Sequence, residues 1–236
     1  MSTARKTSSI SVVIPTLNEE NNLLATLQPL MAIPALEIII VDGGSRDKTL
    51  DIAKKSGAIV VHSKPGRAVQ QNLGAEKATG DILLFLHADT RLPPGFDHII
   101  RECLNDPGKP IAGAFSLSID LSGLGIRFIE WMASLRSRWL HLPYGDQALF
   151  MMKGTFEEAG KFPEIDLMED FALAGKLKKS GHIRTVPEKV ITAGRRWQEL
   201  GVLKTTLINQ GVIIGYLLGR SPTSLASWYR RSSRAR

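Results

Sequence analysis

The hydrophobic positions in the first ninety residues fall into four short runs, and the run at 82–86 contains no polar residue. They occupy residues 10–14, 37–41, 58–61 and 82–86. A short apolar run without polar alternation is typical of a strand buried on both faces, as in a parallel sheet covered by helices. The segments between the runs have helical spacing, so the pattern predicts an α/β layer in which strands and helices alternate.

Helix and strand signals continue less regularly beyond residue 90. Asn18 is the predicted N-cap of the first helix, which should run to about Met31. Later elements are four predicted helices, at 95–104, 126–135, 170–179 and about 198–218, and four strands, at 111–119, 147–152, 183–186 and 189–192. The apolar stretch 212–218 is too short to span a bilayer. It could pack on the domain, pair with another subunit or lie on a membrane.

Polar side chains follow the predicted strands at the point where each strand ends. These groups are residues 16–19, 42–45, 64–67 and 87–89. The carboxyl ends of parallel strands meet at one edge of a sheet, which is where open α/β folds bind ligands. We therefore expect one crevice lined by all four groups. Taken alone, Asp89 could equally begin a turn before Pro93.

Composition limits the number of domains and the kinds of partner. A chain of 236 residues fits one large domain or one domain with an appendage. We expect a flexible segment 1–8, a catalytic domain 9–197 and a C-terminal helix with a basic tail at 198–236. The net charge of +7 indicates an anionic partner, and nucleic acid, a nucleoside diphosphate and an anionic membrane surface are all candidates.

Cysteine content and the N-terminus indicate the cellular compartment. Cys103 is the only cysteine, which excludes a disulfide framework within one chain. Residues 1–9 are polar and have no apolar signal region, so secretion is not expected. A cytoplasmic location is expected, with a peripheral position at the inner face of the membrane as the alternative.

Several nucleotide-binding signatures are missing, and a different set of motifs is present. Residues 43–45 do not continue into a dinucleotide fingerprint, and the sequence has neither a phosphate loop nor the kinase motifs. The sequence instead resembles the family 2 glycosyltransferases, which have the GT-A fold. The matching segments are VIPTLNEE at 13–20, IVDGGSRDKT at 40–49, GRAVQQNLGA at 66–75, LHADT at 86–90 and MED at 168–170.

This resemblance implies an α/β fold with a mostly parallel central sheet flanked by helices and a site for a nucleotide-sugar donor. Asp42 is placed to accept a hydrogen bond from a uracil imide, which would favour a UDP-sugar. The residues implied in donor binding are Pro15, Thr16, Glu19, Asp42, Gly44, Ser45, Arg67, Gln71, His87 and Ala88.

The segment 87–89 occupies the place of the family's DxD metal motif. Asp89 matches the metal ligand, and Mg²⁺ or Mn²⁺ is the implied cofactor. Such a cation binds through one or two carboxylates together with substrate phosphates. His87 departs from the family pattern, which has an aspartate at this position, and the departure removes one carboxylate.

Asp170, preceded by Glu169, matches the family's catalytic base. An acceptor hydroxyl must lose its proton as it attacks the anomeric carbon, and a neighbouring carboxylate can take that proton. The resemblance implies direct displacement, which inverts the anomeric centre. Two further segments, 145–147 and 195–197, are candidates for closing the site.

Two other functions and two modes of association stay open at this point. A sugar-phosphate nucleotidyltransferase shares this kind of fold, but the glycine-rich, lysine-bearing loop expected after the first strand is missing. A basic nucleic-acid-binding protein fits the charge, but aromatic content is only 6% and no RNA-binding motif is present. We therefore expect no nucleic-acid partner. Contact with a membrane or a homodimer partner is expected through residues 212–218, Trp228, Tyr229 and five C-terminal arginines.

Overall fold

The computed structural model describes residues 8–139 and 141–233. Nearly all of the predicted flexible segment 1–8, together with Arg234 and Arg236 of the basic tail, lies outside the described residues. Within them the chain forms an eight-stranded mixed sheet with helices on both faces.

The strands begin with the four that the apolar runs predict. They are β1 (Ile10–Thr16), β2 (Glu37–Asp42), β3 (Ile59–His62), β4 (Ile82–Phe85), β5 (Thr90–Arg91), β6 (Ala112–Ile119), β7 (Phe150–Met152) and β8 (Ile183–Thr192). Their order in the sheet is β3-β2-β1-β4-β7-β6-β8-β5. The first four strands pair in parallel, as do β6 and β8, whereas β7 runs antiparallel to both of its neighbours.

The helices alternate with these strands and also form the C-terminal part of the described chain. They are α1 (Leu23–Met31), α2 (Thr49–Lys55), α3 (Arg67–Lys77), α4 (Phe96–Leu104), α5 (Leu124–Trp139), α6 (Lys153–Glu158), α7 (Glu169–Ser180), α8 (Arg195–Leu200), α9 (Val202–Leu217) and α10 (Pro222–Ser232). A 3₁₀ turn, Gly145–Gln147, precedes β7.

The central strands are buried on both faces, as their mainly apolar sequences predict. Val12 and Ile14 of β1 pack into the core on one side of the sheet, whereas Val13 packs into the core on the other side. Helix α3 lies close to β1 at Gly74, where a β-carbon would come within 2.3 Å of the Val13 side chain. This close packing fixes the start of α3, and with it Arg67, near the carboxyl end of β1.

Some sequence-based predictions of local structure are wrong. Asn18 is not an N-cap, because α1 begins only at Leu23. Asn18 instead adopts a left-handed conformation with φ 56°, and its side-chain oxygen accepts a hydrogen bond from the Arg46 backbone N–H at 2.9 Å. The side chain therefore joins the loop after β1 to the loop after β2.

The predicted boundaries in the second half also change. Residues 183–192 form one strand rather than two, with a register irregularity opposite β6. The predicted helix 198–218 is broken at Gly201, whose φ of 81° separates α8 from α9. Strand β5 and helices α6 and α10 are additional elements, and β5 and α6 are only two and six residues long.

The C-terminal helices pack on the sheet domain and on one another. Val202 and Trp197 contact the core beneath α5, and α9 packs against both α5 and α10. The predicted domain boundary at residue 197 stays a prediction. Residues 8–139 and 141–233 contain no helix whose length and apolar character would let it cross a membrane.

Candidate active site

A cleft of about 600 Å³ opens at the carboxyl ends of β1 and β4. Its walls come from distant parts of the chain: the loop after β1, the start of α3, the tip of β4, the loop before α7, and α10. The polar residues on these walls include Glu19, Arg67, His87, Asp89, Glu164, Asp166, Glu169 and Arg230. The cleft therefore opens at the predicted edge of the parallel strands, and three of the four predicted polar groups contribute to its walls, whereas residues 42–45 do not.

The loop after β1 is fixed by hydrogen bonds to the loop after β2. The Glu19 backbone N–H donates to the Thr49 hydroxyl at 2.7 Å, and the Asn18 backbone N–H donates to the Ser45 hydroxyl at 2.9 Å. The Glu19 carboxylate accepts a hydrogen bond from the Asn22 amide at 2.8 Å. Burial raises the pKa of Glu19, and the nearby charge of Asp89 adds to this rise.

The tip of β4 presents His87 and Asp89 to the cleft. The Ala88 carbonyl accepts a hydrogen bond from the Thr26 hydroxyl at 2.8 Å, which ties this tip to α1. Burial raises the pKa of Asp89, although the charges of Arg195 and Arg67 oppose the rise. Burial, assisted by the charge of Arg67, lowers the pKa of His87 to about 3. The imidazole is therefore neutral at physiological pH.

Arg67 and Glu169 form an ion pair across the cleft, with 3.3 Å between the guanidinium nitrogen and the carboxylate oxygen. The Glu169 side chain is only 2% exposed, whereas the Arg67 side chain is 47% exposed. Met168 adopts a left-handed conformation with φ 71° and sets the start of α7 at this point. Burial raises the pKa of Glu169, and the Arg67 charge opposes that rise.

Asp170 is held in place by two backbone N–H groups. One carboxylate oxygen accepts a hydrogen bond from the Gly145 N–H at 2.6 Å, and the other accepts one from the Phe171 N–H at 2.7 Å. Gly145 also contacts His87, because a β-carbon at position 145 would lie 2.9 Å from His87 Nε2 and 3.1 Å from Asp170 Oδ2. The 3₁₀ turn thus brings the tip of β4 and the start of α7 together.

The rest of this 3₁₀ turn is held by a polar network. The Gln147 amide donates to the Phe115 carbonyl at 3.0 Å and accepts from Arg136 at 3.1 Å. The Arg136 guanidinium stacks 3.4 Å from the centre of the Tyr144 ring. Burial raises the pKa of Asp146 to about 6, the charge of Asp170 adds to the rise, and Arg136 opposes it.

The structure brings together most of the residues predicted from the sequence. Asp170 lies beside the cleft, in contact with Gly145. The predicted residues that line the cleft itself are Pro15, Thr16, Glu19, Arg67, His87, Ala88, Asp89 and Glu169.

Four predicted donor-binding residues lie off the cleft wall: Asp42, Gly44, Ser45 and Gln71. Asp42 is buried, and its carboxylate accepts hydrogen bonds from the Gly44 N–H at 2.8 Å, the Ser45 N–H at 2.9 Å and the Ser45 and Thr16 hydroxyls. A contact between Asp42 and a nucleobase would have to replace one of these bonds.

The family resemblance implies Gln71 in donor binding, but its neighbour Gln70 lines the cleft. The Gln70 amide donates to the carbonyls of Thr16 at 2.8 Å and Val41 at 2.7 Å, so it supports the loops after β1 and β2. Residues 70 and 71 are three and four positions after Arg67, and both spacings place a side chain on the same helix side. The spacing alone could not distinguish them.

The three residues of the segment 195–197 have different surroundings. Arg196 stacks 4.0 Å from the Tyr229 ring centre and donates to Asn209 at 3.1 Å, so it joins α8 to α9 and α10. Trp197 packs on the core. The charge of Arg195 acts on Asp89 and Glu19, which leaves Arg195 as the member nearest the cleft. Arg230 of α10 also lines the cleft, although the sequence predicts contact with a membrane or a second subunit for the C-terminal arginines.

The cleft supplies part of the ligand set for a divalent cation. Within the described residues, no cluster of three His, Cys, Asp or Glu side chains is arranged to hold a metal. Asp89 provides a carboxylate in the cleft, whereas His87 Nε2 is buried next to Gly145 and has no hydrogen-bond partner. The Asp89 carboxylate fits a hard cation whose remaining ligands are phosphate oxygens and water.

Comparison with known protein families matches residues 11–162 to glycosyl transferase family 2. A 4,4'-diaponeurosporenoate glycosyltransferase of Staphylococcus haemolyticus is 37% identical over 95 residues. That alignment covers 36% of this chain and 25% of the relative. The chain thus spans about a quarter of the length of this curated relative.

Two solved structures have a similar fold at low sequence identity. The mannosyltransferase PcManGT from Pyrobaculum calidifontis, in complex with GDP-Man and Mn²⁺, is 19% identical with a TM-score of 0.65, covering 97% of this chain and 70% of that one. A glucosyl-3-phosphoglycerate synthase from Mycobacterium tuberculosis, in complex with Mn²⁺, UDP and glucosyl-3-phosphoglycerate, is 23% identical with a TM-score of 0.61, covering 85% and 79%. The architecture is the GT-A fold.

Proposed function

The chain belongs to glycosyl transferase family 2, and we propose that its cleft transfers a sugar from a UDP-sugar to an acceptor hydroxyl with inversion of the anomeric centre. The observation that carries this proposal is the position of Asp170. Two backbone N–H groups hold its carboxylate beside His87 and next to a cleft that contains Asp89. A fixed carboxylate beside a crevice at the carboxyl ends of parallel strands suits an acid–base role on a bound ligand.

The donor nucleotide is proposed to lie along the loop after β1. Pro15, Thr16 and Ala88 offer backbone and small side chains to the nucleoside, and Glu19 offers a carboxylate for ribose hydroxyls. Asp42, Gly44, Ser45 and Gln71 remain proposed members of this subsite through the loop after β2 and helix α3. The preference for uridine rests on the proposed hydrogen bond from the uracil imide to Asp42.

The diphosphate is proposed to lie between Arg67 and Asp89. A bound Mg²⁺ or Mn²⁺ would be held by Asp89 and would offset the charge that develops on the departing diphosphate. Arg67 contributes a permanent positive charge to the same region, since it lines the cleft and its side chain is 47% exposed. The ion pair with Glu169 keeps the guanidinium oriented.

Asp170 is proposed to act as the general base. In its ionised form it accepts the proton of the acceptor hydroxyl as that oxygen attacks the anomeric carbon. The hydrogen bond from the Gly145 N–H fixes the Asp170 carboxylate. The neighbouring His87 is neutral, so it does not place a second negative charge beside Asp170, as the aspartate of the family pattern would. Glu169 is proposed to position Arg67 and the start of α7. Attack from the face opposite the leaving diphosphate inverts the sugar.

A panel of nucleotide sugars tests this function. The full chain is incubated with UDP-, GDP- and dTDP-sugars and Mn²⁺, and release of the nucleoside diphosphate is measured. Slow release of UDP from one UDP-sugar is the expected result. The same assay with a nucleoside triphosphate and a sugar phosphate, scored for pyrophosphate, detects a nucleotidyltransferase. Pyrophosphate formation without UDP release would contradict the proposal.

A further inference from the structure

Helix α5 carries apolar side chains on the face that points away from the core. Its buried residues are Ile126, Ala133 and Ser137. At 3.6 residues per turn, its exposed large apolar residues cluster within an arc of roughly 100° on the opposite side. They are Leu124, Phe128, Trp131, Met132, Leu135 and Trp139, and Leu124 and Trp139 are 88% and 78% exposed.

Helix α9 repeats this arrangement. Its buried face is formed by Thr205, Ile208, Val212 and Gly215. Its exposed apolar residues again cluster within an arc of roughly 100° opposite the buried face. They are Leu203, Leu207, Ile214 and Leu217, followed directly by Leu218, which is 78% exposed.

The two stripes lie on neighbouring helices, because α5 and α9 pack against each other. Among the described residues, eighteen large apolar side chains are exposed, and eleven of them belong to these two stripes. A helix that is apolar on both faces is normally buried on both. The α5–α9 face, defined by the eleven stripe residues, therefore needs a partner that covers it.

The charged residues beside the two stripes indicate the chemistry of that partner. Arg127 and Arg138 flank the α5 stripe on one side and are exposed, although the Arg138 guanidinium also donates to the Ser116 hydroxyl at 3.3 Å. The only acidic residue of α5 is Glu130, whose carboxylate accepts hydrogen bonds from the Ser118 hydroxyl and the Ile119 N–H of β6. Helix α9 has no acidic residue and carries Lys204, which is exposed. The edge of the α5–α9 face is thus positively charged.

We propose that the α5–α9 face docks on an anionic lipid bilayer. Exposed tryptophan, phenylalanine and leucine side chains flanked by arginine and lysine are what a helix needs to lie in the headgroup region. Aromatic rings of this kind favour the interface between water and hydrocarbon. Both helices present their stripes outward, so they would enter the bilayer surface together.

A second copy of the chain would cover this face less well. A symmetric dimer brings the same patch of both subunits together. The arginine and lysine edges of the two copies would then approach each other without acidic residues on these helices to pair with them. Anionic lipid headgroups supply the missing negative charge.

Helix α9 lies beside the start of α7, on the side of the cleft that holds Asp170. Tyr216 of α9 packs edge-on against Phe171, the residue after Asp170, with 5.7 Å between ring centres. Helix α10, which packs on α9, places Arg230 on the cleft wall. If the proposed function holds, docking would bring the acceptor side of the cleft next to the membrane, where a lipid-borne hydroxyl could reach it.

Vesicle co-sedimentation of the full chain tests the proposal. The vesicles are made of phosphatidylcholine alone or of phosphatidylcholine mixed with phosphatidylglycerol, at low and high salt. We expect binding to the anionic vesicles that weakens with salt, because screening reduces the attraction of the basic edge. The doubly substituted protein Phe128→Glu/Trp131→Glu should bind roughly tenfold more weakly or not at all, because it places charge where apolar contact is needed.

Two control variants separate this face from general effects. Met31→Glu/Ile59→Glu changes exposed apolar residues elsewhere on the surface and should bind like the wild type. Arg127→Gln/Lys204→Gln should lose the preference for anionic lipid while its fold, followed by circular dichroism, is unchanged. UDP binding is measured in parallel, so a failure of the proposed function is seen separately from a failure of docking.

Three results would overturn the proposal. One is wild-type protein that ignores anionic vesicles at low salt. Another is binding that survives in Phe128→Glu/Trp131→Glu. The third is a dimer in sedimentation velocity that this variant converts to a monomer while neither form binds vesicles, which would assign the face to a second copy of the chain.

Discussion

His87 Nε2 and Asp170 Oδ2 lie 2.9 and 3.1 Å from a single point, the position that a β-carbon on residue 145 would occupy. The glycine at 145 therefore lets three segments meet: the tip of β4, the 3₁₀ turn and the start of α7. Its N–H also donates to Asp170 at 2.6 Å. The position of the proposed base thus depends on a residue that has no side chain.

Gly145→Ala is expected to lower turnover while leaving the protein folded. The added methyl group must displace His87 or Asp170, and a small displacement of a catalytic group can cost up to roughly a hundredfold in rate. The measurement is kcat for sugar transfer or donor hydrolysis. The double variant Gly145→Ala/His87→Ala should recover part of the loss, because removal of the imidazole makes room for the methyl group.

Gly154→Ala is the matched control, since a β-carbon there meets nothing within 4 Å. It should keep wild-type kcat. Wild-type kcat in Gly145→Ala would show that the convergence of His87 and Asp170 on Gly145 does not matter for the reaction.

Asp170→Asn is expected to reduce turnover by a factor on the order of 10² or more, as for the loss of a general base. UDP affinity should change little, because the side chain lies beside the nucleotide part of the cleft rather than on its wall. Kinetics together with calorimetry measure the two effects. The exposed Asp51→Asn on α2 serves as a control. Turnover at the wild-type rate would remove Asp170 from the mechanism.

Asp146→Asn is expected to stabilise the protein above about pH 6. Burial raises the pKa of Asp146 from 3.8 to about 6, so the folded protein holds this proton more tightly than the unfolded chain does. The ionised carboxylate therefore lowers stability as the pH rises from 3.8 through about 6. Because each unit of pKa shift corresponds to about 1.4 kcal/mol, the asparagine should add roughly 1–3 kcal/mol at pH 8.

Thermal unfolding of Asp146→Asn and wild type at pH 8 and pH 4.5 measures this effect. For a chain of this size, 1 kcal/mol shifts Tm by roughly 2–4 °C. The gain in Tm should be clearly larger at pH 8 than at pH 4.5. The same gain at both pH values would indicate that the Asp146 carboxylate is not destabilised by burial.

The sequence predicts the first half of the fold well because burial on both faces leaves an unmistakable pattern. Strands β1, β2, β3 and β4 coincide closely with short, mainly apolar runs, and polar residues after β1, β3 and β4 meet in one crevice, whereas those after β2 lie off its wall. The second half of the fold is harder to predict from the sequence, because the antiparallel β7 is short and preceded by a 3₁₀ turn. This turn brings Gly145 to Asp170 through tertiary contacts, which the local pattern of apolar residues does not indicate.

For single residues of the site, too, the sequence predicts the region but not which side chain faces the cleft. Helical spacing could not separate Gln70 from Gln71, and only the carbonyls of Thr16 and Val41 decide that Gln70 faces the cleft. Asp42 follows a strand as a ligand-binding carboxylate would, yet its oxygens are occupied by the turn it begins. Arg230 reaches the cleft from more than 140 residues beyond Asp89, across helices whose packing the sequence does not reveal.

The proposed function is tested most directly by calorimetry of UDP with the full chain in Mn²⁺, for wild type and Asp89→Ala. We predict that wild-type protein binds UDP, that chelation of the metal weakens this binding, and that Asp89→Ala abolishes the metal-dependent part. GDP and CDP, measured under the same conditions, should bind more weakly than UDP. Failure of the wild type to bind any of these nucleotides, or unchanged metal-dependent UDP affinity in Asp89→Ala, would contradict the account.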